Sequence, residues 1–149
     1  MKQEYYINFE GNNWTNNELA RTTNVPSLIY GSAPTWELHF VQSNGEGGSI
    51  GANLSGAQYW TACIDNDFSQ STAPMILVPS GDIDSTLAAD GIIAVELDTE
   101  TQQFLSKVDG KAQIPAYFEI RGFDENDKAA YCWQLKINAL GSIFPSGGN

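Results

Sequence analysis

Hydrophobic and polar residues alternate along several stretches of this chain with the period of two that a half-buried β-strand produces. In the clearest case Trp36, Leu38 and Phe40 share one face, and Glu37 and His39 lie on the other. The same alternation recurs in four further stretches, at residues 57–64, 92–97, 116–121 and 131–137. Turn-forming residues separate the stretches. Seven or eight short strands of this kind predict an all-β fold, an antiparallel β-sandwich of the immunoglobulin-like or jelly-roll-like type.

One stretch departs from this period. Phe104 and Val108 have the spacing of one face of a helix, and Gly110 can end it. The preceding residues 99–102, Thr-Glu-Thr-Gln, match a capping box, in which the first Thr hydroxyl and the Gln amide satisfy the amides that open a helix. The sequence therefore predicts one short helix near residues 99–108.

The length of 149 residues suits one domain, and 42% hydrophobic residues are enough for a core. Residues 1–26 are polar and rich in Asn, so we expect an N-terminal arm with a single edge strand. Residues 27–140 carry the strand patterns and form the predicted sandwich. Residues 141–149 contain three Gly and are expected to be a flexible tail.

The formal net charge of -11 argues against two classes of partner. An acidic protein without a Lys/Arg cluster repels the phosphates of nucleic acid and of anionic membranes. The first 14 residues lack the continuous apolar segment of a signal peptide, and no apolar run reaches membrane-spanning length. We therefore expect a protein that is made and folds in a cytoplasm.

The two cysteines, Cys63 and Cys132, each lie in an apolar strand-like run. In a reducing compartment we expect two buried thiols that pack as small hydrophobic groups. The alternative is a disulfide that joins the two sheets.

No residue pattern indicates catalysis. His39 is the single histidine, and no Ser-His or His-Glu-x-x-His arrangement surrounds it. Asp82 with Asp84, or Glu96 with Glu119, would act as glycosidase carboxylates only at a defined separation across a cleft. We therefore predict a protein that is not an enzyme and needs no cofactor.

The candidates for binding are aromatic. Three tryptophans lie in phase with the apolar faces of their strands and are expected in the core: Trp36, Trp60 and Trp133. Trp14 instead lies among Asn and Thr, outside any apolar pattern. We expect Trp14 to be exposed and to contact a partner, together with Tyr5 and Tyr6.

Asp65 and Asp67 are the best candidates for a cation site, because oxygen ligands at alternate positions can converge on calcium. The further ligands of an EF-hand are missing, so an ordinary turn that ends a strand is the favoured interpretation. The two residues still support an alternative function, a carbohydrate-binding sandwich module that uses Trp14 or this loop and in some forms requires calcium.

Several blocks of the chain resemble a known group of proteins. The blocks are Leu-Ser-Gly-Ala-Gln-Tyr-Trp-Thr-Ala at 54–62, Asp-Asn-Asp-Phe at 65–68, Thr-Ala-Pro-Met at 72–75, and later stretches at 95–104, 114–124 and 137–140. They are similar to small phage and prophage tail proteins, namely to the β-sandwich domain at the N-terminus of baseplate upper proteins and related tail-fibre components. The resemblance covers roughly residues 27–140.

The resemblance implies a structural role. In that group the domain anchors receptor-binding parts to the tail and has no catalytic residues. This chain ends soon after the domain, without a long fibre or coiled coil, so a free-standing decoration or assembly protein is a second form of the same hypothesis. The expected partners are other tail or baseplate proteins, or further copies of this chain, through sheet edges or the N-terminal arm.

Overall fold

Eleven β-strands and one α-helix are present in the computed structural model, which describes residues 2–20, 22, 25–70 and 72–143. In chain order the strands are β1 (Lys2–Asn8), β2 (Asn13–Thr15), β3 (Ser27–Ile29), β4 (Thr35–Ser43), β5 (Ser49–Gly51), β6 (Tyr59–Asp65), β7 (Ile76–Val78), β8 (Ile83–Asp84), β9 (Ile92–Glu96), β10 (Gln113–Phe123) and β11 (Ala129–Leu140). The helix is α1 (Gln102–Val108), and two short 3-10 turns lie at Ser80–Asp82 and Ala88–Asp90.

The strands form two sheets. The first sheet has the order β2-β1-β4-β9-β8, and β5 pairs with the second half of β4. The second sheet has the order β3-β11-β10-β6-β7. The predicted all-β sandwich is confirmed, but its sheets are mixed, because β1 pairs with β4 and β3 with β11 in parallel.

Aromatic rings from both sheets fill the space between them. Trp36 is fully buried, and Trp60 and Trp133 are 1% and 4% exposed, which confirms that all three belong to the core. The Trp133 ring centroid lies 4.4 Å from that of Phe40 on the opposite sheet. Such ring pairs add to the stabilisation that burial alone provides.

The N-terminal segment belongs to this sandwich. β1 lies between β2 and β4, so the prediction that it is an edge strand is wrong. Ile7 is fully buried in the common core. β1 pairs with β4 along its whole length and with β2 over its last three residues, and its inward side chains add to the core. Residues 2–15 are therefore part of the fold and not a separate arm.

The helix lies within the predicted range, but its N-cap is two residues after the first Thr of the predicted capping box. The hydroxyl of Thr101 accepts a hydrogen bond of 3.0 Å from the amide of Phe104, which is the N-cap contact. Thr99 is fully buried and donates its hydroxyl to the carbonyl oxygens of Ile29 and Ser32. These tertiary hydrogen bonds leave Thr101, and not Thr99, to cap the helix.

Neither cysteine is a buried thiol. Cys63 is half-buried and Cys132 is exposed, and both are free. Both cysteines lie in the second sheet, on β6 and β11, with β10 between them. Two strand spacings amount to about 9.6 Å, beyond the roughly 7 Å between Cα atoms that a disulfide spans. The predictions of buried thiols and of a disulfide between the sheets are both wrong.

Residues 141–143 follow β11 without regular structure, and the remainder of the predicted flexible tail, residues 144–149, lies outside the described residues. No helix within the described ranges has the length and apolar character needed to cross a bilayer.

Candidate partner-binding surfaces

Trp14 lies inside the molecule, so the prediction that it is exposed is wrong. Only 5% of it is accessible, and its ring makes edge contacts with Tyr5 at 5.7 Å and with Trp36 at 6.3 Å. Its indole nitrogen donates a hydrogen bond of 2.7 Å to the carbonyl oxygen of Lys136 on the second sheet. Trp14 therefore joins the N-terminal segment to both sheets.

The two tyrosines predicted to act with Trp14 point to opposite faces of β1. Tyr5 packs against the core, and burial raises the pKa of its hydroxyl. Tyr6 points outward, with its ring centroid 4.8 Å from that of His39. The three predicted contact residues therefore do not form one surface.

Asp65 and Asp67 line a pocket on the outer face of the second sheet, of about 270 Å³. Its most accessible ring is Phe68, which is 61% exposed and lies 4.7 Å from the ring of Tyr117 on β10. We call this the aromatic pocket. Its remaining lining consists of Cys63, Ser69, Gln70, Thr72, Pro74, Glu119 and Gln134.

Polar groups are held in place on one side of the aromatic pocket. Glu119 accepts hydrogen bonds of 2.9 Å from the side-chain amide of Gln134 and from Nε of Arg121. A carboxylate and an amide thus lie beside an exposed ring and its tyrosine neighbour. This combination can stack on a sugar ring and bind its hydroxyl groups.

The two aspartates themselves take part in local structure. Asp67 Oδ1 accepts the amide of Ser69 at 2.9 Å, an Asx turn, and Oδ2 lies 3.6 Å from the ammonium of Lys107. Among the described residues, Asp65 and Asp67 do not belong to any group of three or more metal-ligating side chains. The geometry thus favours the turn interpretation over a preformed calcium site.

A larger groove of about 690 Å³ lies where the end of β9 approaches β7. Four exposed carboxylates line it: Asp82, Glu96, Asp98 and Glu100. The side chain of Leu77, from the edge strand β7, also lines it and is 69% exposed. We call it the acidic groove, because its lining contains no Lys, Arg or His.

The part of the chain that supplies the lining of the acidic groove carries an excess of negative charge. Residues 22–106 contain ten Asp or Glu and not one Lys or Arg. Charges of one sign in a concave surface raise the local concentration of ligands of the opposite sign and speed their association. The acidic groove is therefore suited to a cationic partner.

Of the two carboxylate pairs considered for catalysis, one is divided between the two sheets and the other includes a turn residue. Glu96 lies at the end of β9 in the first sheet, whereas Glu119 points outward from β10 in the second. Asp84 Oδ1 accepts hydrogen bonds from the amide and hydroxyl of Thr86, which lower the pKa of Asp84. These contacts explain Asp84 as a turn residue.

Comparison with known proteins gives a likeness of fold. No protein-family model and no curated protein matches this chain. The N-terminal domain of ORF48 of phage TP901-1, a baseplate upper protein, has a similar structure with a TM-score of 0.50. The match covers 95% of this chain and 98% of that domain at 15% sequence identity. At the level of the fold, the predicted resemblance to the N-terminal β-sandwich of baseplate upper proteins is confirmed.

The sequence pointed to Asp65 and Asp67 of the aromatic pocket but not to its rings, and it did not point to the acidic groove. The acidic groove had a visible signal, the 85 consecutive residues without Lys or Arg. The aromatic pocket had a weaker one, because Phe68 follows a strand-ending turn and acquires its neighbour Tyr117 through folding, from a strand 49 positions later.

Proposed function

We propose that this chain is a non-enzymatic structural protein of a phage or prophage tail, associated with the baseplate and mediating protein–protein assembly. The observation that carries the proposal is the structural match to the ORF48 domain over nearly the full length of both chains. Virion association and a partnership with other tail proteins, or with further copies of the chain, follow from the same proposal.

The acidic groove is the surface on which we place the main contact. β7 is the last strand of its sheet and has a partner on one side only among the described strands, so its outer edge can accept the backbone of another chain. Leu77 offers an exposed apolar contact beside that edge. The four carboxylates favour an extended partner segment that carries Lys or Arg.

The test uses particles purified from the phage or induced prophage whose genome encodes the chain. We expect an antibody against the chain to label the tail tip in electron micrographs. We also expect deletion of the gene to give particles that lack part of the baseplate. Intact, unlabelled tails would contradict the proposal.

The role of the acidic groove is tested by charge reversal. Asp82→Lys combined with Glu96→Lys changes two exposed groove residues, and Glu46→Lys with Glu125→Lys is the matched control at exposed positions elsewhere. We expect the groove variant to keep its melting temperature but to be incorporated into particles much less than the control. Equal incorporation would remove the groove from the proposal and leave the tail assignment standing.

A second candidate function is supported by the aromatic pocket. Phe68 beside Tyr117, with Glu119 and Gln134 within the same lining, is an arrangement that fits a carbohydrate ligand. A glycan array probed with the full chain, with calcium and with a chelator, tests this function and its calcium dependence. Saturable binding that Phe68→Ala abolishes would support it, and an array without signal would reject it.

A further inference from the structure

A histidine and two glutamates meet on the outer face of the first sheet. The parallel register of β1 and β4 places Glu4 directly opposite Glu37, and Tyr6 opposite His39. Since side chains two positions apart on a strand share a face, Glu4, Glu37 and His39 lie together. One ligand atom from each lies within 4.8 Å of the other two.

The histidine is already oriented toward this group. Its Nε2 lies 2.9 Å from Oε1 of Glu37, and the Tyr6 ring packs beside the imidazole with centroids 4.8 Å apart. The side chains of His39 and Glu37 are only 19% and 16% exposed, so their neighbours restrict their rotamers. Two of the three ligands are therefore largely held in place before any ion arrives.

The charge around the group attracts a cation. Facing carboxylates on adjacent strands repel each other, and the cation that lies nearest is Lys2, whose Nζ is 2.7 Å from Oε2 of Glu37. Asp84 also contributes negative charge near Lys2. One ammonium therefore faces three carboxylates.

We propose that Glu4, Glu37 and His39 bind one zinc ion. One imidazole nitrogen and two carboxylate oxygens are a ligand set that zinc accepts, with water in the fourth position. The nitrogen ligand favours zinc over calcium or magnesium, which prefer oxygen alone. Tetrahedral ligation requires ligand atoms about 3.4 Å apart, so Glu4, the exposed ligand, has only a small distance to move.

The ion would link two distant parts of the sequence. Glu4 lies on β1, whereas the other two ligands lie on β4, so zinc would fasten the N-terminal strand to its sheet. Binding to the folded state alone raises the melting temperature as free zinc rises. The proposal is independent of the tail function.

The test is calorimetric titration of the full chain, freed of metal with a chelator, with zinc chloride. We expect one site with micromolar affinity, no comparable heat with magnesium chloride, and a melting temperature that rises with zinc and returns with EDTA. His39→Gln should weaken binding at least about tenfold, and Glu4→Gln should weaken it as well. Glu10→Gln, which removes one exposed carboxylate from the same segment, is the matched control and should bind as the unchanged chain does.

Lys2→Gln should strengthen zinc binding, whereas His39→Gln and Glu4→Gln should weaken it. Without the competing ammonium, Glu37 is free to bind the ion, so the affinity should rise roughly two- to fivefold, the strength of an exposed ion pair. A site that survives His39→Gln, or that Glu10→Gln weakens as much as Glu4→Gln does, would overturn the proposal. The absence of zinc-dependent heat and of a melting shift would overturn it too.

Discussion

Trp14 and Phe68 are two aromatic residues with polar neighbours in the sequence, but Trp14 is buried and Phe68 is exposed. Trp14 is preceded by two Asn and followed by Thr, and Phe68 follows Asp-Asn-Asp. Trp14 is 5% exposed and touches both sheets, whereas Phe68 is 61% exposed and lies on the outer face of one sheet.

The difference arises from strand pairing, because Trp14 lies on a paired strand and Phe68 does not. β2 pairs with β1, which in turn pairs with β4, so the N-terminal segment is aligned with the middle of a sheet and Trp14 turns inward. Phe68 lies beyond the end of β6, where no ladder fixes its direction. The polarity of neighbouring residues therefore says little about the burial of a ring, and the pairing of distant strands decides it.

The largest expected effect comes from truncating the buried ring. Trp14→Ala should lower the free energy of unfolding by about 3–5 kcal/mol, because it leaves a cavity among Tyr5, Trp36 and Phe118. Urea denaturation followed by circular dichroism measures the change. A loss as small as that of a surface substitution would mean that the N-terminal segment is not part of the core.

A second substitution separates the ring of Trp14 from its hydrogen bond. Trp14→Phe keeps an aromatic group but removes the donor to the carbonyl oxygen of Lys136. The expected loss is about 1–3 kcal/mol, since the carbonyl is left without its partner. The same denaturation experiment applies, and a loss equal to that of Trp14→Ala would show that the hydrogen bond, not the ring volume, dominates.

Thr101 contacts the end of the loop that carries Phe68, since Met75 is the last residue of that loop before β7. Its hydroxyl donates to the carbonyl oxygen of Met75 at 2.6 Å and accepts from the amide of Phe104. Thr101→Val should therefore cost about 1–2 kcal/mol, the usual effect of losing a helix cap. Denaturation of Thr99→Val, at a fully buried hydroxyl with different partners, tests whether the effect is specific to the cap.

The smallest effect on stability is expected at the exposed ring. Phe68→Ala should change the free energy of unfolding by less than about 0.5 kcal/mol, because little of the ring is buried. Denaturation beside Trp14→Ala makes the comparison direct. A loss of several kcal/mol would show that Phe68 supports the fold and is no free binding surface.

Thiol labelling probes the same face without altering stability. Burial raises the pKa of Cys63, which lines the aromatic pocket, to about 11. About 0.1% of such a thiol is thiolate at pH 8, the form that reacts. Cys132 is exposed, so a maleimide should label Cys132 first and Cys63 much more slowly, as mass spectrometry of a time course can show. Equal rates would mean that the pocket opens readily.

Those parts of the fold that depend on local pattern were predictable. Trp36, Leu38 and Phe40 alternate with polar residues and form the buried face of β4. The spacing of Phe104 and Val108 placed the helix correctly. The cap was misassigned because Thr99 and Thr101 are both suitable capping residues, and only tertiary hydrogen bonds distinguish them.

The surfaces depend on register and could not be derived in this way. Glu4 and Glu37 face each other because β1 and β4 run parallel, and nothing in the polar N-terminal sequence specifies that partner. Phe68, which follows the end of β6, contacts Tyr117 on β10. Short strands such as β2, with three residues, are too brief to show a period at all.

The hydrogen bond between Trp14 and Lys136 has a consequence for biosynthesis, since it spans 122 positions of the chain. β3 and β11 are likewise paired across most of the sequence. A ribosome makes Trp14 and β3 early, yet their partners Lys136 and β11 emerge only near the end of translation. Contacts between distant positions slow folding. We therefore expect the second sheet and its contact with Trp14 to form only after β11 has been synthesised, in one late folding step.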